Sequence, residues 1–310
     1  MPRHHYFTLL FLFVFPICSL FGQISQPYCA WEDPNSGYHI ARVDPATGTV
    51  TSIAGVPGMT GIVAPNTSVF KPTTGEYLIL GLFTQQIAWL RFNVTTGAIL
   101  NTTPVNENWV GLQYHCQNDT IYGLRENNNA YELVWIDPVN AVAHNVANLP
   151  GVTAHVGSSF TLNSGADTYT FVGLMGASLE IIVLDLDNGA ILSNMPFPYN
   201  VPGQYFDCMD GKIYGLVENQ QTQTYFLSEV QPTVGAPIPT YPLSGVTPGF
   251  VAESATFNGS QRQFTYRGFD SLNNFAIIAV DGSNGNILAN TPLSTPIAGL
   301  EDSTCCRQRQ

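Results

Sequence analysis

A turn of five residues recurs six times along this 310-residue chain and limits the folds that the chain can adopt. In most copies the first residue is Asp or Asn, whose side chain can accept a backbone N–H two residues later. The last residue is glycine in five copies, which suits the left-handed conformation that closes a four-residue hairpin loop. The interval between successive copies stays between 44 and 50 residues, with the turns ending at Gly48, Gly97, Ala141, Gly189, Gly235 and Gly285.

A second glycine ends an apolar strand about a dozen residues before each of five turns, at Gly81, Gly123, Gly173, Gly215 and Gly268. A period of roughly 40–50 residues built from short strands is typical of a propeller blade. We therefore predict an all-β chain, with residues 24–310 forming a single six-bladed β-propeller. The alternative, a β-sandwich, gives no reason for six equal units.

The sixth unit lacks its first glycine, and its missing part lies at the N-terminus around Tyr28–Trp31. We expect the closing blade to combine both termini, with its inner strand from Ala298–Cys306 and its outer strands from Gln26–Ala54. This arrangement leaves no open sheet edge where the chain ends meet.

The inner strands predict that the unit of duplication is a pair of blades. Those of the even blades contain GLQYHC (residues 111–116), GQYFDC (203–208) and, less regularly, GLEDSTC (299–305). Those of the odd blades lack cysteine and open with a Pro-Gly pair. We expect odd blades to superpose on one another better than on even blades.

The DPATG turn at Asp44–Gly48 resembles the turns of YVTN-type and quinoprotein-like propeller repeats. The resemblance is to β-propellers as a superfamily, and it covers the chain after its first 23 residues. It implies the fold alone, because propellers carry many unrelated functions.

Residues 1–23 have a basic start, an apolar run and small residues near Ser19 and Gly22, which predicts a cleaved secretory signal peptide. We expect a secreted or periplasmic, monomeric protein without a membrane span. The formal net charge is −12, so a nucleic acid partner is not expected. Only 10% of residues are charged, which predicts a surface of Asn, Thr, Ser and Gln.

The polar residues of the predicted inner strands are candidates for a ligand site at one mouth of the channel. They match no catalytic spacing, so the preferred function is a secreted binding module that recognises a glycan or a protein partner. No cofactor is expected. The ligand-binding candidates are Gln113, Tyr114, His155, Gln204, Tyr205, Glu253 and Glu301.

The alternative function is a lactonase-like hydrolase or lyase that acts at the channel mouth. Glu253 or Glu301 would then work with His155 or His115 in general acid–base catalysis. Convergence of these groups within hydrogen-bonding distance would favour an enzyme, and a scattered ring of Gln, Tyr and Thr would favour binding. Solvation of a water-filled channel explains the same residues without any ligand.

Five cysteines remain after the signal peptide, and an exported chain can form disulfides. We predict a Cys29–Cys306 disulfide that locks the closing blade, and we expect Cys116 and Cys208 to be small buried residues. A metal site is not expected, because the sequence has neither a CxxC motif nor paired histidines.

Overall fold

A computed structural model describes residues 24–302 except 64, 65, 85, 128, 129, 220 and 223, and leaves the side chains of 248–253 undescribed. Within these bounds the chain contains 26 strands and no helix, and the strands form six sheets. Every strand pair is antiparallel, and each sheet follows the chain from an inner to an outer strand. The chain is a six-bladed β-propeller, as predicted. The predicted signal peptide lies outside the described residues.

The odd blades share an interrupted inner strand. In blades 1 and 3 two short strands pair with the same neighbour, and in blade 5 one long strand has irregular pairing between Phe250 and Ala255. The strands are, in blade 1, β4 (Met59–Ile62), β5 (Ser68–Lys71), β6 (Glu76–Phe83), β7 (Gln86–Asn93) and β8 (Ala98–Pro104); in blade 3, β13 (Val152–His155), β14 (Thr161–Asn163), β15 (Thr168–Met175), β16 (Ser178–Asp185) and β17 (Ile191–Pro196); in blade 5, β22 (Val246–Asn258), β23 (Gln263–Asp270), β24 (Phe275–Asp281) and β25 (Ile287–Pro292).

The even blades share a single inner strand. The strands are, in blade 2, β9 (Asn108–His115), β10 (Thr120–Asn127), β11 (Ala130–Asp137) and β12 (Val142–Leu149); in blade 4, β18 (Tyr205–Asp207), β19 (Lys212–Asn219), β20 (Thr224–Gln231) and β21 (Ala236–Leu243); in blade 6, β26 (Ile297–Glu301), β1 (Tyr28–Asp33), β2 (Gly37–Asp44) and β3 (Thr49–Gly55).

A glycine in or beside each even inner strand accommodates an aromatic ring of the following odd blade. Gly111, Gly203 and Gly299 have φ values of 64°, 66° and 61°, in the left-handed region that favours glycine. The hydroxyl of Tyr77 donates to the carbonyl of Gly299 at 2.6 Å, and the hydroxyl of Tyr169 donates to that of Gly111 in the same way. These shared features separate even from odd blades, in agreement with a duplicated pair.

The closing blade contains both termini, as predicted. Its order is β26-β1-β2-β3, and Tyr28 pairs with Glu301. The predicted Cys29–Cys306 disulfide disagrees with this register, because the antiparallel partners of residues after Tyr28 precede Glu301. Cys306 itself lies outside the described residues. Cys29 is instead a free, fully buried thiol, and its burial raises its pKa to about 12.

The six repeated turns have the predicted geometry. The backbone N–H of each last residue donates to the carbonyl of the first, at 2.8 Å for Gly48 to Asp44 and at 2.9 Å for Ala141 to Asp137. Where the first residue is Asp or Asn, its side chain accepts a second bond, as from the Ala46 N–H to Asp44 Oδ1 at 2.9 Å. The last residue has a positive φ in all six turns, including Ala141 at 54°. The turns therefore fix the register between the two outer strands of every blade.

The hydrophobic core lies between neighbouring blades. One cluster joins Leu133 of β11 to Phe160, Tyr169 and Phe171 of blade 3. A second cluster joins blade 4 to blade 5 and contains Tyr205, which stacks on the ring of Phe257 at 4.0 Å between centroids. The flat faces of the sheets are thus buried against each other, and the polar ends of the inner strands surround the axis.

Candidate functional site

A cavity of about 1180 Å³ occupies one end of the central channel. Its walls come from the inner strands of the blades and from the turns that follow them. Among the described residues of its wall, Glu301 is the single carboxylate, and no Lys, Arg or His contributes. The other polar groups are amides and hydroxyls, and the half-buried Phe206 supplies aromatic surface.

Four residues of the wall, Gln204, Asn66, Thr256 and Tyr205, have a buried side-chain polar atom without a hydrogen-bond partner among the described residues. Both amide atoms of Gln204 are unpartnered, and the side chain is 7% exposed. The Oδ1 atom of Asn66 and the Oγ1 atom of Thr256 are in the same state. Buried polar groups are almost always hydrogen-bonded, so these atoms mark a place where water or a ligand completes the bonding.

Glu301 lies at the end of β26, and its Oε1 atom accepts a hydrogen bond from the Ser68 hydroxyl at 2.9 Å. Burial raises the pKa of this carboxyl well above its usual range, although the Ser68 bond acts in the opposite direction. The residue remains half-buried because its side chain borders the cavity. A raised pKa favours the protonated carboxyl, which can donate as well as accept a hydrogen bond.

Gln113 and Tyr114 are adjacent residues of β9 that both border the cavity. The Tyr114 hydroxyl contacts Thr73 Oγ1 at 3.1 Å and donates to Asp119. Burial, and then the hydrogen bond to Asp119, raise the pKa of this phenol to about 12. Tyr114 therefore joins blade 2 to blade 1 and remains a neutral hydroxyl.

Tyr205 also borders the cavity, but its ring packs between blades 4 and 5 and its hydroxyl is buried. Burial raises the pKa of this phenol well above its usual range. We therefore regard Tyr205 as a packing residue of the cavity wall and the neighbouring Gln204 as the polar group at this position.

The two candidate histidines, His115 and His155, do not border the cavity, and they lie far from each other. His115 is buried; its Nδ1 accepts from the Gln117 N–H at 3.3 Å, so its Nε2 donates to Asp167 of the neighbouring blade at 2.7 Å. His155 pairs in register with Gly173, six residues along blade 3 from Asp167, or about 20 Å. Its Nδ1 contacts the Tyr131 hydroxyl at 3.1 Å, and burial lowers its pKa.

The remaining predictions for the site concern Glu253, the cysteines of the inner strands and a metal site. Glu253 belongs to β22, and its side chain lies outside the described part of the structure. Cys116 and Cys208 were expected to be small buried residues; both are half-buried in the cavity wall, and Cys116 also packs against a core cluster. In the described ranges no cluster of three metal-ligating side chains occurs.

Sequence reasoning missed Asn66, Ser68 and Thr256. Asn66 lies just before β5, Ser68 begins β5, and Thr256 lies in the second half of β22. At both places the sequence has small and polar residues before a phenylalanine, Phe70 or Phe257. That cluster of small residues was the available signal, because small side chains at the axis leave space for a cavity.

Similarity to solved structures extends over most of the chain. A TolB structure from Acinetobacter baumannii superposes with a TM-score of 0.63 at 15% identity, over 89% of this chain and 66% of that one. A chain of a nidogen/laminin complex superposes with a TM-score of 0.61 at 13% identity, over 89% of this chain and 97% of that one. TolB from Agrobacterium tumefaciens gives 0.52 at 11% identity, over 87% and 94%.

At these identities the likeness concerns the fold alone, and it defines the class: a six-bladed β-propeller with a polar cavity at one end of its channel. No protein-family model and no curated protein matches the sequence. In the described residues no helix is long and apolar enough to span a membrane.

Proposed function

We propose that this protein is an exported binding protein that takes a neutral, hydroxyl-rich ligand, a short glycan, in the mouth cavity. The observation that carries the proposal is Gln204, whose buried amide has a free donor and a free acceptor at the cavity wall. A sugar with adjacent hydroxyl groups can bond to both atoms of one amide. Water can fill the same positions until the ligand displaces it.

The chemistry of the cavity wall supports a neutral ligand. Its described residues offer amides and hydroxyls, with a single carboxyl whose raised pKa favours the uncharged form. No Lys, Arg or His of the described wall would attract an anion, and a cation would meet no cluster of carboxylates. The half-buried ring of Phe206 in the wall can contact the apolar face of a sugar ring.

A hydrolase or lyase is the competing function, and the described wall supports it less well. Glycoside hydrolysis uses two carboxyl groups about 5–10 Å apart, and Glu301 is the single carboxyl of that wall. Neither His115 nor His155 borders the cavity. The mixture of Gln, Tyr and Thr around the axis instead favours binding without catalysis.

Export is part of the proposal and is supported by the sequence of residues 1–23 and by the low content of charged residues, 10% of the chain. We propose that the mature protein acts outside the cytoplasm as a monomer. A protein partner is the other possible ligand, since one similar structure is a nidogen/laminin complex.

The test is binding of the mature protein to an array of neutral and charged oligosaccharides, followed by calorimetry on the best ligand. Gln204→Leu should weaken binding at least tenfold, because two ligand hydrogen bonds are lost. Gln86→Leu, at an exposed position outside the cavity, should bind as the wild type does. Absence of binding to any neutral oligosaccharide, or equal binding by Gln204→Leu, would overturn the proposal.

A further inference from the structure

Two buried hydrogen-bond donors between blades 5 and 6 have no acceptor among the described residues. They are the Nε atom of Arg267 on β23 and the indole Nε1 atom of Trp31 on β1. The Arg267 residue is 9% exposed, and burial lowers the pKa of its guanidinium. Both side chains can donate but not accept. Because buried polar groups are almost always hydrogen-bonded, these two atoms mark a place where an acceptor binds.

The two donors lie beside the same residue, Ile297 of β26. Trp31 pairs with Ile297 across the sheet of blade 6, and its indole packs against a cluster that includes Ile277 of blade 5. Arg267 is the register partner of Ile277, and its guanidinium donates to the carbonyl of Ile297 at 3.1 Å. Glu301, at the cavity end of β26, is four residues or about 13 Å from Ile297 along the strand. The donors are therefore separate from the mouth cavity.

Arg267 also lacks a counter-charge, unlike most basic residues of this chain. In Arg91, the Nε atom donates to the carboxylate of Glu76 at 3.1 Å, whereas the same atom of Arg267 is unpartnered. Arg42 has no carboxylate partner either, but it is exposed. A buried charge without a partner is costly, and an anion beside Arg267 would lower that cost. Five of the seven Lys and Arg residues in the described ranges contact a carboxylate: Lys71, Arg91, Arg125, Lys212 and Arg262.

Two carboxylates that follow the donors on the same strands are engaged in their own turns. Asp33 accepts a backbone N–H two residues later at 3.1 Å, and Asp270 does so at 2.8 Å. The ring of Phe275 lies over the Arg267 guanidinium at 4.4 Å from the ring centroid, and Phe275 is itself exposed. The two donors therefore lie close to the surface, where a small ligand can reach them past this ring.

We propose that Arg267 and Trp31 bind a small carboxylate ligand between blades 5 and 6. One carboxylate can accept from both Arg267 Nε and Trp31 Nε1, and its charge compensates the guanidinium. A water molecule can accept both bonds but leaves the charge uncompensated. The site is independent of the glycan proposal, because it uses neither the mouth cavity nor its residues.

Thermal unfolding of the mature protein in sodium acetate tests this site, with sodium chloride at the same ionic strength and pH as the reference. Acetate should raise the melting temperature of the wild type above its value in chloride, because a ligand that binds only the folded state stabilises it. Arg267→Met should abolish this difference. The matched control is Arg91→Met, which removes an arginine that has its own carboxylate partner and should retain the difference.

Trp31→Phe tests the second donor, because it keeps an aromatic ring and removes the N–H group. It should weaken acetate binding about tenfold, measured from the acetate dependence of the melting temperature. A nuclear magnetic resonance titration of the wild type gives an independent readout that needs no stable Arg267 variant. Acetate should shift the indole N–H signal that Trp31→Phe removes and should leave the other indole signals in place.

Equal melting temperatures of the wild type in acetate and chloride would overturn the proposal, as would an acetate effect that Arg267→Met retains. Glu253 of β22 has its side chain outside the described part of the structure, so Glu253→Gln tests whether the chain supplies its own counter-charge. The acetate effect should be the same in Glu253→Gln as in the wild type. An effect that appears only in this variant would contradict a site for an external carboxylate.

Discussion

The carboxylate of Asp207 accepts a hydrogen bond of 2.7 Å from Nε of Arg262 and joins the inner strand of blade 4 to blade 5. Asp207 is fully buried, whereas the Arg262 side chain is 27% exposed and also contacts Asp210 at 2.8 Å. The pair therefore neutralises a charge that would otherwise be buried alone between two blades.

We expect Arg262→Met to lower the free energy of unfolding by about 3 kcal/mol, because it leaves an unpaired buried carboxylate. Urea denaturation measures the change. The matched control is Lys212→Met, which removes an exposed cation from its 2.6 Å contact with Glu229. Exposed pairs contribute little, so this variant should be close to the wild type. Equal losses in the two variants would show that burial of Asp207 does not matter.

Two buried glutamines allow a test of the empty hydrogen-bonding positions. Gln263 is 2% exposed, accepts from the Ser25 N–H at 2.8 Å and donates to Thr265 at 2.9 Å. Gln204 is 7% exposed and has no partner for either amide atom. Removing the Gln263 amide leaves its buried partners without a hydrogen bond, and each unsatisfied partner carries a desolvation cost. Removing the Gln204 amide leaves no such partner behind.

Gln263→Leu should therefore destabilise the protein by about 1–3 kcal/mol, while Gln204→Leu should leave the melting temperature unchanged or raise it. Thermal unfolding in buffer without added carbohydrate measures both. A fall in melting temperature for Gln204→Leu as large as that for Gln263→Leu would mean that Gln204 is bonded in solution by ordered water that stabilises the fold.

The blade number and the closing blade were predictable because they depend on local turn chemistry. Asp44 and Gly48 determine one turn, and the same pattern repeats at a nearly constant interval. The break within the odd inner strands was not predictable, because it depends on contacts with the neighbouring blade. Sequence reasoning expected one strand across Ala154–Leu162, where the structure has β13 and β14.

The candidate site was predicted only in part. Glu301 and Gln204 were identified because they fall on inner strands, and both border the cavity. His155 was placed at the same site although it lies toward the other end of blade 3, because strand membership does not specify position along the axis. The predicted cross-strand pairing of Cys29 was wrong for a related reason. A strand that is shifted by one residue moves the partner of each residue by about 3.3 Å.

The glycine that closes a repeated turn can be tested against a glycine with free space. Gly285 and Gly211 have φ values of 73° and 75°, so alanine has a similar backbone cost at both, about 1 kcal/mol. A Cβ at Gly285 would overlap the Cβ of Tyr241 in blade 4, whereas nothing lies within 4 Å of one at Gly211. Gly285→Ala should lower the urea midpoint more than Gly211→Ala. Equal shifts would show that the turn moves away from blade 4 at no cost.

The last prediction concerns the carboxyl of Glu301, whose pKa burial raises well above its usual range. In the unfolded chain this group loses its proton near pH 4.3, while the folded protein retains it to higher pH. The folded state therefore binds more protons above that pH, and the contribution of Glu301 to stability decreases as the pH rises from about 4.3 toward the folded-state pKa. Glu301→Gln keeps the shape of the protonated group and cannot titrate. We expect the variant to gain stability relative to the wild type as the pH is raised from 4 to 8, measured by urea denaturation at each pH. Comparing the two proteins at each pH cancels the other acidic groups, and a constant difference across this range would contradict the buried, protonated carboxyl.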